Sequence, residues 1–200
     1  MHDKIFEMYH QRVKILLDNE LPKIYQQYIP LTAEYGLSDE PVKYADRDSL
    51  KFQPAAEGMT WGHEWQSAWI HVTAEVPESF AGKELCLQIN TGSEALLFEN
   101  GIPRYSFTNH SAFNESYYKD RYILDGTFSA GARIDYWIEA AATGMFGERL
   151  PGAMAVNPPA PLGTYSAAFK YLRLCVFDRE LWNFMLDMKI SFIFFSTYFF

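Results

Sequence analysis

Apolar and polar residues alternate with a period of two through the middle of the chain. The clearest run covers residues 65–76, where Ala68, Ile70 and Val72 share one face and Trp69 lies on the other. Comparable runs occupy residues 85–89, 134–140 and 168–177. This spacing is typical of strands that bury one face against a core. The pattern therefore predicts a series of half-buried antiparallel strands.

Turn signals separate these apolar runs. Asn100-Gly101 is the strongest of them, because both central residues of a type I′ hairpin turn need positive φ. Residues 84–108 are accordingly predicted to form consecutive antiparallel strands. Short strands with regular turns and no intervening helices predict a mainly β fold. We expect residues 61–177 to form an antiparallel β-sandwich of the jelly-roll, galactose-binding-like kind.

The segment that precedes the sandwich has a different pattern. Apolar residues such as Met8, Val13 and Leu17 recur at three- and four-residue spacing within residues 3–28, which predicts helical structure with a break before Pro22. Residues 30–60 contain several prolines and glycines and little periodicity, which is typical of a loop. Residues 1–60 are thus predicted to be an N-terminal helical segment followed by a connecting arm.

The last residues, 178–200, are predicted to be the start of a linker helix followed by an atypical apolar tail. Asp178 is a plausible N-cap for a helix reaching Met188. Residues 190–200 are uncharged and rich in aromatic residues, and they are too few to span a bilayer, which takes about 20. Our hypothesis is an out-of-frame or truncated ending, and a buried terminal strand is the alternative. The proline-rich stretch over residues 144–163 is predicted to be a long loop.

Composition narrows the classes of partner. The formal net charge of −8 argues against a nucleic acid and against an anionic membrane surface, since both need a basic footprint. Cys86 and Cys175 lie in strand-like runs, as buried small side chains do, and we expect no disulfide between them. The N-terminus lacks the apolar region of a signal peptide, so a cytoplasmic location is expected.

An ordered set of short motifs is more specific than the composition. The motifs are Trp61-Gly62, Ala68-Trp69, Val76-Pro77 and Gly92-Ser93-Glu94-Ala95-Leu96-Leu97-Phe98-Glu99-Asn100-Gly101-Ile102-Pro103. Together they resemble the N-terminal β-sandwich domain of class II α-mannosidases, glycoside hydrolase family 38. The resemblance covers roughly residues 5–188 and is lost in the apolar tail. It implies structural roles for Trp61, Gly62, Glu94, Asn100, Gly101 and Pro103.

The resemblance also implies which part of the enzyme is missing. Family 38 enzymes hydrolyse α-mannosides with retention, using zinc and two carboxyl groups. Their zinc ligands open with a His-x-Asp segment, and none of the five histidines here has Asp two residues later. The chain is therefore expected to be a non-catalytic fragment, inactive alone, without catalytic residues or metal ligands. Its expected partner is the zinc-dependent catalytic domain, and its exposed packing face should promote self-association.

A stand-alone carbohydrate-binding module is the alternative function. Aromatic residues make up 17% of the chain, and aromatic faces stack on sugar rings as readily as they fill cores. The candidates for contact with mannose-containing glycans are Trp65, Trp69, Tyr117, Tyr118 and Phe146. Packing is the competing interpretation of these rings, and it applies especially to Trp69. A small enzyme in its own right is disfavoured, because no phosphate loop, nucleophile elbow or metal cluster is present in the sequence.

Overall fold

The computed structural model describes residues 2–25, 27–108, 119–143 and 166–198. Its helices are α1 (His2–Glu20) and α2 (Arg179–Tyr198), with 3₁₀ turns at Leu21–Tyr25, Tyr44–Ser49 and Glu78–Phe80. Its strands are β1 (Tyr28–Pro30), β2 (Thr32–Ser38), β3 (Phe52–Ala55), β4 (Thr60–Trp61), β5 (Ser67–Glu75), β6 (Leu85–Asn90), β7 (Glu94–Glu99), β8 (Ile102–Phe107), β9 (Arg121–Ile123), β10 (Arg133–Ala141), β11 (Ala167–Ala168) and β12 (Tyr171–Val176).

The strands form two main antiparallel sheets. The larger has the order β3-β2-β5-β10-β7-β8, and the smaller has the order β1-β12-β6-β9. A short ladder between β4 and β11 forms a separate two-stranded sheet. The fold is thus a mainly β, jelly-roll sandwich preceded by a helix, as the sequence predicts.

The core between the two sheets is built from the alternating apolar positions. Ile70 and Val72 of β5 are fully buried against residues of the smaller sheet such as Leu87 and Leu174. In β10 the burial alternates along the strand, with Ile134 and the apolar residues at every second position inside. The period-two prediction is confirmed for these strands.

Helices cover the outer face of the smaller sheet. Leu17 of α1 and Met185 of α2 pack with Ile24, Cys86 and Cys175 in a second apolar cluster. The N-terminal helix ends at Glu20, which confirms the predicted break before Pro22. A 3₁₀ turn containing a proline follows, since proline lacks the N–H that a continuing α-helix needs.

The expectation of a loop over residues 30–60 is wrong. Strand β2 pairs with residues 67–73 of β5, deep in the larger sheet, and β3 pairs with β2 at its edge. Gly36 is needed in β2 because a Cβ there would lie 2.7 Å from the Cβ of Leu50. Pro54 is tolerated because an edge strand leaves some N–H positions without a ladder partner. The glycine and proline thus mark close packing and an edge rather than a loop.

The prediction for residues 84–108 is only partly confirmed. The strands are consecutive, but β6 belongs to the smaller sheet, whereas β7 and β8 belong to the larger. Only β7 and β8 form the hairpin, and its turn residues Asn100 and Gly101 have φ of 51° and 80°. The turn at Gly92 instead carries the chain from one sheet to the other.

The predicted helix after Asp178 is confirmed, but it extends through most of the tail. The Oδ1 atom of Asp178 accepts a hydrogen bond of 2.9 Å from the N–H of Leu181 and so caps α2. The helical backbone continues to Tyr198, so the alternative of a terminal strand is wrong. Once a helix has nucleated, each added residue gains a hydrogen bond, and no glycine or proline interrupts this one. Within the described residues, no helix is long and apolar enough to cross a membrane.

Candidate functional site: the turn after Trp61

Trp61 connects the two sheets at one end of the sandwich. Its side chain is 2% exposed, and its ring stacks on Phe169 with centroids 5.7 Å apart. The indole Nε1 donates a hydrogen bond of 2.8 Å to the carbonyl of Thr91 in the turn between β6 and β7. The structural role that the resemblance implies for Trp61 therefore has a physical basis in these contacts.

The turn that follows Trp61 is packed closely against β10. Gly62 has a φ of 63°, and a Cβ there would lie 2.9 Å from the Cβ of Ala142. The N–H of Trp65 donates to the carbonyl of Ala142 at 2.9 Å, and the N–H of Ala142 donates to the carbonyl of Gln66 at 2.8 Å. Gly62 is thus required both by its backbone conformation and by the space available.

Side-chain contacts also stabilise this turn. The amide of Gln66 donates to Oδ1 of Asp39 at 2.8 Å, and its Oε1 accepts from the N–H of His63 at 3.3 Å. The Nε2 atom of His63 lies 3.3 Å from the same Asp39 oxygen. The turn is therefore fixed by backbone and side-chain hydrogen bonds together.

Trp65 lies at the tip of this turn, with its side chain in solvent. It is 59% exposed, and it adopts a φ of 71°, a left-handed conformation that bulky residues rarely take. Among the described residues, the structure gives its indole no ring contact and no hydrogen bond. Of the five predicted sugar-contact residues, Trp65 is placed where a ligand could reach it.

Trp69 is not available to a sugar, and its prediction as a contact residue is wrong. Its side chain is only 2% exposed, although it lies on the outer face of β5, as the alternation predicts. The Tyr44 and Phe98 rings pack against it, and its Nε1 donates to the carbonyl of Val42 at 2.7 Å. The segment before β3, which we expected to be a loop, covers it. Tyr117, Tyr118 and Phe146 lie outside the described residues.

The remaining residues of the motif set shape the β7–β8 hairpin. Oε1 of Glu94 accepts a hydrogen bond of 2.6 Å from the hydroxyl of Thr108. Gly101 lies against the ring of Tyr44, where a Cβ would come within 3.1 Å. Pro103 pairs with Phe98 beside a register shift in the ladder. These positions hold the hairpin against the covering segment.

A stack of rings and charges lies on the outer face of the larger sheet. The His71 and Trp137 rings stack with centroids 4.2 Å apart, and the Arg47 guanidinium lies 4.4 Å from the centre of the Trp137 ring. The same guanidinium lies 3.9 Å from the ring of Tyr44. Nε2 of His71 is 2.9 Å from a carboxylate oxygen of Asp135. Sequence reasoning missed Arg47 because it lay in the expected loop, whereas the position of Trp137 could have been found from the alternation in β10.

Among the described residues, three carboxyl groups have shifted pKa values. Burial raises the pKa of Asp120, which is 8% exposed and accepts a hydrogen bond of 3.2 Å from the amide of Gln88. Burial also raises the pKa of Glu139 on the outer face of β10. The Arg173 guanidinium, at 2.7 Å, lowers the pKa of Glu57. In the described parts of the chain, no group of three or more His, Cys, Asp or Glu residues could hold a metal ion.

The described geometry defines a β-sandwich domain whose distinctive side chains tie its strands together. Comparison with known proteins agrees with this class. The family model described as "Alpha-mannosidase, jelly roll domain" matches residues 29–172. The chain therefore belongs to the alpha-mannosidase jelly roll domain family, as the motifs from Trp61 to Pro103 predict.

Individual relatives give the scale of the match. Alpha-mannosidase 2C1 of Mus musculus is 24% identical over 80% of this chain, and alpha-mannosidase 2C1 of Homo sapiens is 25% identical over 77%. Alpha-mannosidase G of Dictyostelium discoideum is 25% identical over 68%. The matched region spans only 12–15% of the length of these three relatives.

Proposed function

We propose that this chain is the non-catalytic N-terminal domain of a longer α-mannosidase-like glycoside hydrolase. In this role it supports the hydrolysis of α-mannosides by a zinc-dependent catalytic domain, in the cytoplasm. The observation that carries the proposal is the family match over residues 29–172 combined with the small share of each relative that is covered. The bonding of Trp61 and Gln66 within the domain supports a scaffold role, because these side chains are engaged in holding strands together.

The native size of the gene product tests this proposal. An antibody against residues 61–177 should detect a band several times larger than 23.1 kDa in the source cells. The protein retained by that antibody should hydrolyse an α-mannoside, and a zinc chelator should abolish the activity. The purified 200-residue chain should have no such activity. A band at 23.1 kDa with no retained activity would contradict the proposal.

The isolated chain is also proposed to self-associate. Large apolar side chains are exposed on both helices, including Ile15 at 57%, Phe184 at 47% and Ile190 at 64%. Exposed apolar surface of this kind favours association when its partner is missing. Light scattering should therefore give a mass that rises with concentration, and a constant mass of 23.1 kDa would contradict this.

Carbohydrate binding is the second candidate function, and the exposure of Trp65 is the observation that favours it. Stacking of a pyranose on the indole should quench tryptophan fluorescence during titration with mannosides. A Trp65→Ala variant should lose that response, because Trp69, the other tryptophan considered as a contact, is buried. Unchanged fluorescence up to millimolar sugar would exclude this function.

A further inference from the structure

We propose that Trp65, on the turn formed by residues 62–66, is a docking anchor for the catalytic region of the longer α-mannosidase. The inference rests on the proposed function and deepens it by naming the residue that contacts the partner. Trp65 is a conformational outlier, with a φ of 71°. A bulky residue in the left-handed region is strained, and such strain persists where the surrounding structure fixes it.

The turn leaves Trp65 no freedom to relax. Its N–H is bonded to the carbonyl of Ala142 at 2.9 Å, and the N–H of Gln66 is bonded to the carbonyl of His63 at 2.9 Å. Asp39, from the segment after β2, bonds the side chain of Gln66 at 2.8 Å. The backbone on both sides of Trp65 is therefore held, and the turn fixes the point on the surface from which the indole projects.

The three tryptophans between residues 61 and 69 show that Trp65 has a different role from its neighbours. Trp61 and Trp69 are each 2% exposed, and each Nε1 has a carbonyl partner within the domain. Trp65 is 59% exposed, and the part of the chain that the structure describes gives its indole no such partner. Tryptophan is, with tyrosine and arginine, one of the residues enriched among the energetic anchors of protein interfaces.

The surroundings of Trp65 favour a protein partner over a sugar. A sugar site needs polar groups that are free to bind hydroxyls, yet Asp39, His63 and Gln66 are bonded to one another. The indole also protrudes from a tight turn, which suits a pocket on a partner. The partner is the remainder of the enzyme, because the matched relatives are about seven times longer than the region they share with this chain.

Oxidative footprinting of the native enzyme tests the inference. The protein retained by the antibody against residues 61–177 and the isolated chain are exposed to hydroxyl radicals and compared by mass spectrometry. Oxidation of Trp65 should be at least about fivefold slower in the enzyme, as expected of a residue buried in an interface. Tyr28, which is 48% exposed on the edge strand β1, serves as the control, and its oxidation should change less than about twofold.

A substitution provides an independent readout. Asn adopts positive φ more readily than Trp, so Trp65→Asn should leave the melting temperature of the isolated chain unchanged or raise it by about 2–4 °C. In the full enzyme the same change should shorten the half-life of activity at elevated temperature by about tenfold, since the domain docks less firmly. Ile102→Asn is the matched control on another exposed edge, and we expect no comparable loss there.

The outcomes separate this inference from the proposed function. Protection of Trp65 together with loss of enzyme half-life supports both. Equal oxidation of Trp65 in an active, retained mannosidase overturns the anchor and leaves the function standing. No retained α-mannosidase activity overturns both. Protection of Trp65 in the isolated chain by methyl α-mannoside alone overturns docking and identifies a sugar platform instead.

Discussion

The outer faces of the two sheets are both covered, but by different chemistry. Helices α1 and α2 cover the smaller sheet with apolar side chains, and Met185 is completely buried there. A short segment covers the larger sheet, where the Arg47 guanidinium lies between the rings of Tyr44 and Trp137. One cover depends on apolar burial, and the other depends mainly on stacking between rings and a cation.

This difference explains where the burial patterns diverge. All six residues of β6 are buried, because the core lies on one side and the helices on the other. Strand β10 instead alternates between buried and more exposed residues, since the cover over the larger sheet is thin. A strand's burial pattern thus reports the cover on its outer face as well as its place in the core.

Removing a side chain from the inter-sheet core should have the largest effect. Leu174→Ala deletes a completely buried side chain between the sheets, and we expect a loss of about 3 kcal/mol in the free energy of unfolding. Urea unfolding followed by tryptophan fluorescence measures it. Lys170→Ala, at an exposed position just before the same strand, should change stability by less than about 0.5 kcal/mol. A loss below about 1 kcal/mol for Leu174→Ala would show that the core can collapse around the cavity.

The helical cover should be weaker by a measurable amount. Met185→Ala should cost about 2 kcal/mol, because its side chain is buried but packs in the smaller cluster under the helices. The neighbouring Phe184 is 47% exposed, so Phe184→Ala is a matched control that we expect to cost less than about 0.5 kcal/mol. Equal losses for the two variants would mean that α2 does not rest on the sheet as described. The backbone amide of Cys86, in the same cluster, should exchange its hydrogen faster in Met185→Ala than in Phe184→Ala.

The sequence predicts the strands better than it predicts the segments that cover them. The alternation of β5 and β10 and the turn at Asn100-Gly101 are encoded by neighbouring residues, and their prediction is confirmed. Strand β2 was missed because its glycine is explained by Leu50, which is distant in the chain and packs against it only after folding. The burial of Trp69 likewise depends on the segment around Val42. Local patterns predict strands, but they do not predict what covers them.

The candidate site was predictable to a smaller extent. The resemblance selected Trp61 and Gly62, and the structure supplies their contacts with Thr91 and Ala142. Nothing in the sequence signals the left-handed backbone of Trp65, because local preference opposes it. That conformation is imposed by hydrogen bonds to residues far away in the chain, such as Asp39 through Gln66.

Loss of the guanidinium stack should weaken the thin cover on the larger sheet. Arg47→Met keeps the length of the side chain but removes its charge and its hydrogen bond of 2.6 Å to the carbonyl of Tyr44. We expect a loss of about 1 kcal/mol, since the cation-π contacts and this bond outweigh the cost of burying Nε, for which the described residues provide no hydrogen-bond partner. Thermal unfolding measures it. Arg133→Met, at a side chain that is 72% exposed, is the control. A gain in stability for Arg47→Met would show that the cost of burying the guanidinium exceeds the gain from its contacts.

The smallest effects should come from the two carboxyl groups that burial perturbs, one beside each cover. A raised pKa means that Asp120 contributes stability while protonated, below its ordinary pKa of 3.8, and that this contribution is lost as the pH rises through the folded value. Asp120→Asn should therefore stabilise the chain at pH 7 by up to about 1 kcal/mol, with the gain vanishing near pH 4. Glu139→Gln should act with the same sign but less strongly, because Glu139 is only half-buried.

Glu57→Gln provides the control of opposite sign. The Arg173 guanidinium lowers the pKa of Glu57, so its stabilising contribution is present above the ordinary value of 4.5 and is lost on acidification. The variant should be less stable than the parent at pH 7, and the difference should shrink as the pH falls below 4.5. Urea unfolding of the three variants at pH 4, 5.5 and 7 measures these trends. If the stability of Asp120→Asn relative to the parent fell between pH 4 and pH 7, the folded protein would favour the charged carboxylate. Burial would then not be the dominant influence on the pKa of Asp120.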